Sequence, residues 1–150
     1  GATGDQPMIG DFAGDGREDL AVARAENENL AWYWINSSTN QFEGLQFGFS
    51  TDIAAPADYD GDGKTDFAVF RPANGTWYRL NSAQNRQLTG VQFGLNGDLP
   101  VPADYDGDGK AEVAVFRTGV WYRLNSSNNS FYSEQFGITT DKPIPNAFVQ

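Results

Sequence analysis

The chain has 150 residues, 39 % hydrophobic and 14 % aromatic, with a net charge of −10 and an isoelectric point near 4.2. It has no cysteine and no histidine, which excludes disulfide and thiol chemistry and removes the usual zinc ligand and the usual general base. Its acidity argues against nucleic acid or an anionic membrane as partner, and no apolar run approaches the roughly 20 residues that span a bilayer. No signal-peptide pattern is seen, so any export signal is expected to have been removed or to lie outside these residues. Seventeen glycines, many Asn and Ser, and few runs of helix formers predict an all-β protein.

In chain order, the first unit opens with "GATGDQP" (1–7) and a short strand. The loop "DFAGDGRED" (11–19) follows, then the strands "DLAVAR" (19–24) and "AWYWIN" (31–36), and a strand ending in "QFG" (46–48). The second unit repeats this as "GFSTDIAAP" (48–56), "DYDGDGKTD" (58–66), "DFAVFR" (66–71), "TWYRLNS" (76–82) and "GVQFG" (90–94). The third reads "GLNGDLP" (94–100), "DYDGDGKAE" (104–112), "EVAVFR" (112–117), the pair Trp121-Tyr122, and "QFG" (135–137). "GITTDKP" (137–143) then begins a further unit.

Four short strands in a period of about 40 to 50 residues form the blade pattern of a β-propeller. The chain is therefore expected to be a single repeat domain with blades at about 5–48, 52–94 and 98–137 and an extra strand at 141–150. In the strand after the second loop both faces are apolar, Phe67 and Val69 on one and Ala68 and Phe70 on the other. Such a strand is covered on both sides, as in a stack of sheets. Rings close with about 4 to 8 blades, and Gly1 aligns with Gly48, Gly94 and Gly137. The expectation is a piece of a longer array, or a subunit completed by another chain. In the extra strand Ala147 and Val149 stand where acids stood in the third unit. Its segment "PIPNAFV" (143–149) could complete a neighbour's first blade, making the chain the protomer of an extracellular assembly or filament.

Counting from Asp58 as position 1, the second loop has acids at positions 1, 3, 5 and 9 (Asp58, Asp60, Asp62, Asp66) and Gly63 at 6. The third matches with Asp104, Asp106, Asp108 and Glu112; the first keeps Asp11, Asp15 and Asp19 but has Ala13 at position 3. Oxygens at alternate positions of a tight turn can converge on one point, and glycine permits the bend. A hard divalent cation resolves the repulsion. Ca2+ suits the flexible, all-oxygen set better than Mg2+, which demands a strict octahedron. Two strong sites and a weaker first one are expected, and three ions would bring the charge from −10 to −4. Asp-Gly turns alone do not need acid at four fixed places. The loops are not EF-hands, because position 12 is Val22, Val69 or Val115 and the flanks are strands. A site filled by its own loop leaves substrate no open position, so the metal is expected to be structural.

The three loops and the QFG endings resemble the FG-GAP or VCBS-type repeat of integrin-α-like β-propellers, over essentially the whole chain. The resemblance implies calcium held by the side chains at positions 1, 3, 5 and 9 and by the main-chain carbonyl at position 7. That carbonyl belongs to Lys64 and Lys110, with Arg17 its counterpart in the first loop. It also implies a secreted or cell-surface protein that serves adhesion, ligand binding or attachment to an enzyme.

The recurring Trp-Tyr pairs fit packing between blades, with sugar stacking as the alternative. The first unit departs by placing Trp34 where the others have Arg79 and Arg123, which makes Trp34 the candidate glycan contact of a lectin-like domain. Arg24, Arg71 and Arg117 each close a second strand and are expected in a salt bridge or a backbone contact within the blade rather than in ligand binding. "NSS" (36–38), "NGT" (74–76), "NSS" (125–127) and "NNS" (128–130) fit the N-glycosylation sequon. No GxSxG, phosphate-cradling loop or nucleophile–base set appears, so no enzyme activity is expected.

Overall fold

The computed structural model describes residues 1–144. Twelve strands form three four-stranded antiparallel sheets, one per repeat. The first contains β1 (Gln6–Gly10), β2 (Asp19–Glu26), β3 (Asn29–Ile35) and β4 (Phe42–Phe49). The second contains β5 (Ile53–Ala54), β6 (Phe67–Arg71), β7 (Thr76–Asn81) and β8 (Gln87–Gln92). The third contains β9 (Leu99–Pro100), β10 (Val113–Arg117), β11 (Val120–Leu124) and β12 (Phe131–Gln135). Every strand pairs with its neighbour in sequence, which is the up-and-down order of a propeller-like blade. The opening strand is short in the second and third sheets, two residues plus an isolated bridge, Ala57 to Asp66 and Ala103 to Glu112. Of the extra strand expected at 141–150, residues 141–144 carry no strand and 145–150 lie outside the described residues.

The two-sided apolar pattern of the second strands sets the packing. Ala21, Ala23, Trp32 and Trp34 of the first sheet form one core with Phe67, Val69, Tyr78 and Leu80 of the second. On the other face of the second sheet, Ala68, Phe70 and Trp77 pack with Val113, Val115, Tyr122 and Leu124 of the third. The sheets are thus stacked face on face, and β6 is buried on both sides.

The structure gives a reason for the paired recurrence of Trp-Tyr and QFG. The tryptophan of each Trp-Tyr pair donates its indole N–H to the carbonyl of the QFG phenylalanine: Trp32 to Phe47 at 2.9 Å, Trp77 to Phe93 at 2.8 Å, Trp121 to Phe136 at 2.8 Å. For the fully buried Trp32 and Trp77 that bond satisfies the indole N–H. The arginines are in the expected salt bridges. Arg24, Arg71 and Arg117 fork onto Asp5, Asp52 and Asp98, with both contacts of Arg71 at 2.9 Å. Asp52 and Asp98 also accept the amides of Phe49 and Leu95. The guanidinium of Arg24 and the amide of Ala2 hold the Asp5 carboxyl down at about 2. Each fork ties the outer end of a second strand to the segment that enters the blade.

Candidate metal centres

Each acidic loop joins the first strand of its sheet to the second, so the exit of one strand and the start of the next meet at the loop. In the second loop Asp58 accepts the amides of Gly61 (2.6 Å) and Gly63 (2.8 Å), which closes the turn around its own first acid. Gly63 takes φ +83°, the left-handed bend expected of position 6. Asp66, fully buried at the head of β6, accepts the amides of Tyr59 at 3.0 Å and Ser82 at 2.6 Å. Asp60 accepts the Ala83 amide with one oxygen, while its other oxygen, Oδ1, is buried and has no partner.

Carboxylate oxygens of Asp58, Asp60 and Asp66 lie within 4.8 Å of one another, as do those of Asp104, Asp106, Asp108 and Glu112 in the third loop. The cluster is strained electrostatically. Burial raises Asp60, with the charges of Asp62 and Asp58 adding to it, and burial pushes Asp66 up to about 6 against the amides that favour its ionised form. Three or four anionic groups, one with an orphaned buried oxygen, form a set that could hold a cation. The set is all hard oxygen with no nitrogen or sulfur, which suits Ca2+ and not zinc or copper.

The convergence is not uniform. Asp62 is outside the second cluster; it accepts the Lys64 amide and the Ser82 hydroxyl, at 2.9 and 2.8 Å. Among the described residues Asp11, Asp15 and Asp19 form no such group. There Asp11 takes three amides, of Gly14, Asp15 and Gly16, and Asp19 takes the amide of Ala13. Arg17, Lys64 and Lys110 at position 7 each donate their amide to the position-5 aspartate.

One element of the site was not assigned a role from sequence. The residue after each Trp-Tyr strand is Ser37, Ser82 or Ser126, and each touches its blade's loop twice. Its amide donates to the position-9 acid, Asp19, Asp66 or Glu112, and its hydroxyl donates to the position-5 acid, Asp15, Asp62 or Asp108. The signal was the recurring Asn-Ser at 36–37, 81–82 and 125–126. Trp34 is 3 % exposed and packs against Phe12 and Phe67, ring centroids 6.0 and 5.2 Å away. It is a core residue between the first and second sheets, without the open face that a sugar would stack on.

The chain matches the family model of the FG-GAP-like repeat twice, at residues 11–69 and 58–115. It belongs to the FG-GAP-like repeat family. Each match starts at position 1 of one acidic loop and runs to the second strand of the next blade, so the FG-GAP unit spans two adjacent blades and the interface between them. No curated protein and no solved structure matches the chain. As an FG-GAP-type chain it is a β-propeller-like repeat module. Among the described residues no helix is long and apolar enough to cross a membrane.

Proposed function

We propose that the chain is a non-catalytic, calcium-stabilised propeller module of a secreted or cell-surface protein. The observation that carries this is the meeting of Asp58, Asp60 and Asp66, and of Asp104, Asp106, Asp108 and Glu112, with the Asp60 Oδ1 oxygen buried and unmatched. Calcium binding is common among FG-GAP repeats, which are generally structural modules found in extracellular or cell-surface proteins. In each strong site the side chains at positions 1, 3 and 9 form the cage, with the position-5 acid and the carbonyl of Lys64 or Lys110 completing it. The first loop, with Asp11, Asp15, Asp19 and the Arg17 carbonyl, is the weaker site. The bound ion supplies charge neutralisation. It joins the first strand, the second strand and the serine turn of one blade, so binding energy becomes folding energy.

The test is a thermal melt of the 150-residue chain in millimolar Ca2+ and in excess chelator. Two sites filled at a hundred times their dissociation constant stabilise by about 5 kcal/mol, or roughly 10–20 °C for a domain of this size. Superimposable melts would refute the reading.

A further inference from the structure

Among the described residues the stack leaves two faces uncovered, and they are the two halves of the contact already used inside it. Both internal interfaces follow one rule. The residue that opens the second strand of the later blade enters a socket made by the earlier blade's loop aromatic and its third strand. Phe67 enters the socket of Phe12, Trp32 and Trp34, with ring centroids 4.9 to 5.3 Å away. Val113 occupies the same place against Tyr59 and Trp77, one blade on.

On the third blade the corresponding socket, Tyr105, Trp121 and Arg123, lines an open groove with Tyr132. On the first blade the corresponding knob is Leu20, 70 % exposed, beside Ile35, 44 % exposed, and Phe42, 71 % exposed.

The loops carry a second, polar copy of the rule. The position-8 amide of each later loop donates to the position-1 carbonyl of the earlier one: Thr65 to Asp11 at 2.8 Å, Ala111 to Asp58 at 2.6 Å. The position-7 lysine side chain of each later loop lies over the position-4 glycine of the earlier one, Lys64 on Gly14 and Lys110 on Gly61. Over Gly107, the third member, there is open space among the described residues. In the first loop Arg17 holds position 7 and Glu18 position 8.

We propose that these faces dock a second copy of this chain head to tail, the first blade of one copy on the third blade of the other. Leu20 then fills the Tyr105–Trp121–Arg123 groove. Arg17 covers Gly107 and brings positive charge to the Asp104–Asp106–Asp108 loop, and the Glu18 amide reaches the Asp104 carbonyl. The contact joins unlike surfaces, so it either closes or propagates. Two copies joined at both ends hold six blades, within the about 4 to 8 of closed propellers.

Sedimentation of the 150-residue chain in millimolar Ca2+ at rising concentration tests this, with near-ultraviolet circular dichroism confirming that each variant keeps its fold. The expected result is reversible association above the 16.4 kDa monomer. Leu20→Lys sets an ammonium against Arg123 and should weaken association on the order of tenfold or more; Ile35→Lys, on the same face, should act in the same direction. Adding Arg123→Glu to Leu20→Lys should restore it. A chain that stays monomeric at every concentration overturns the proposal, as does association indifferent to both lysine substitutions. That second result would place the contact elsewhere.

Discussion

In the second loop Asp58 closes the turn by accepting the amides of Gly61 and Gly63, and in the first Asp11 does the same with Gly14, Asp15 and Gly16. In both, the position-9 acid is buried and takes the amide of the following serine turn. Yet carboxylates converge around Asp60 and not around Ala13. The turn and the cage are therefore separable. Positions 1 and 9 build the backbone through their own hydrogen bonds. In the second loop the position-3 acid, Asp60, accepts the Ala83 amide of the serine turn and leaves its other oxygen buried without a partner. The proposed ion would give that oxygen its partner.

The sharpest break of this comparison is Asp60→Asn. In Ca2+ it should remove one site and about 2.7 kcal/mol at a hundredfold ligand excess, roughly 5–10 °C, with one ion fewer by calorimetry. In chelator at pH 7 the same variant should melt no lower than the parent, because a buried charge has gone while the amide oxygen can still accept from Ala83. Burial of the carboxyl groups gives the sign with pH. Asp66 is raised to about 6 from 3.8, and Asp60 is raised as well, so the folded, metal-free state binds protons more tightly than the unfolded one. Their ionisation costs stability above pH 6 and the cost fades as pH falls toward 4. Metal-free melts should therefore show these groups favouring folding as pH drops through that window. Any gain of Asp60→Asn should shrink with it. With Ca2+ present the sign reverses, since protons compete with the ion.

The converse change is Ala13→Asp, which sharpens the comparison by supplying the missing third acid to Asp11 and Asp19. The expected outcome is one additional bound ion in a calorimetric titration. The melting temperature should rise in Ca2+ and fall slightly in chelator. An unchanged ion count would show that the first loop's backbone, not position 3, withholds the site. The smallest effect belongs to Ser82→Ala, which removes the 2.8 Å hydroxyl contact to Asp62. It should cost about 1 kcal/mol at most, read by denaturant melts, since both partners are accessible to water and the serine amide still reaches Asp66.

The repeat, its four strands and the loop acids were legible because alternation and period are carried by local residue type. Phe67-Ala68-Val69-Phe70 announced a strand covered on both sides, and it is buried on both. Partners chosen at a distance were harder to see. Arg71 called for an acid, but Asp52 lies 19 residues earlier in a segment that reads as a Gly-rich entry. The Asn-Ser steps at 36–37 and 125–126 fit glycosylation sequons, the step at 81–82 fits none, and only the folded hairpin brings Ser82 to Asp62 and Asp66. Trp34 was legible in hindsight: it shares the face of Trp32 by the two-residue alternation of a strand, and that face is the interior between the first and second sheets. Asp62 shows the remaining difficulty, since four acids at alternate positions fix a candidate set and not which oxygens turn inward.

The account rests on an ion among Asp58, Asp60 and Asp66. Diffraction from crystals grown in millimolar CaCl2, with anomalous differences collected at long wavelength, tests it directly. The expected result is an anomalous peak in the second loop with six to eight oxygens at about 2.3–2.6 Å, Asp60 Oδ1 among them, and a matching peak in the third. Water-like density in both loops, at hydrogen-bond distances and without anomalous signal, would contradict it.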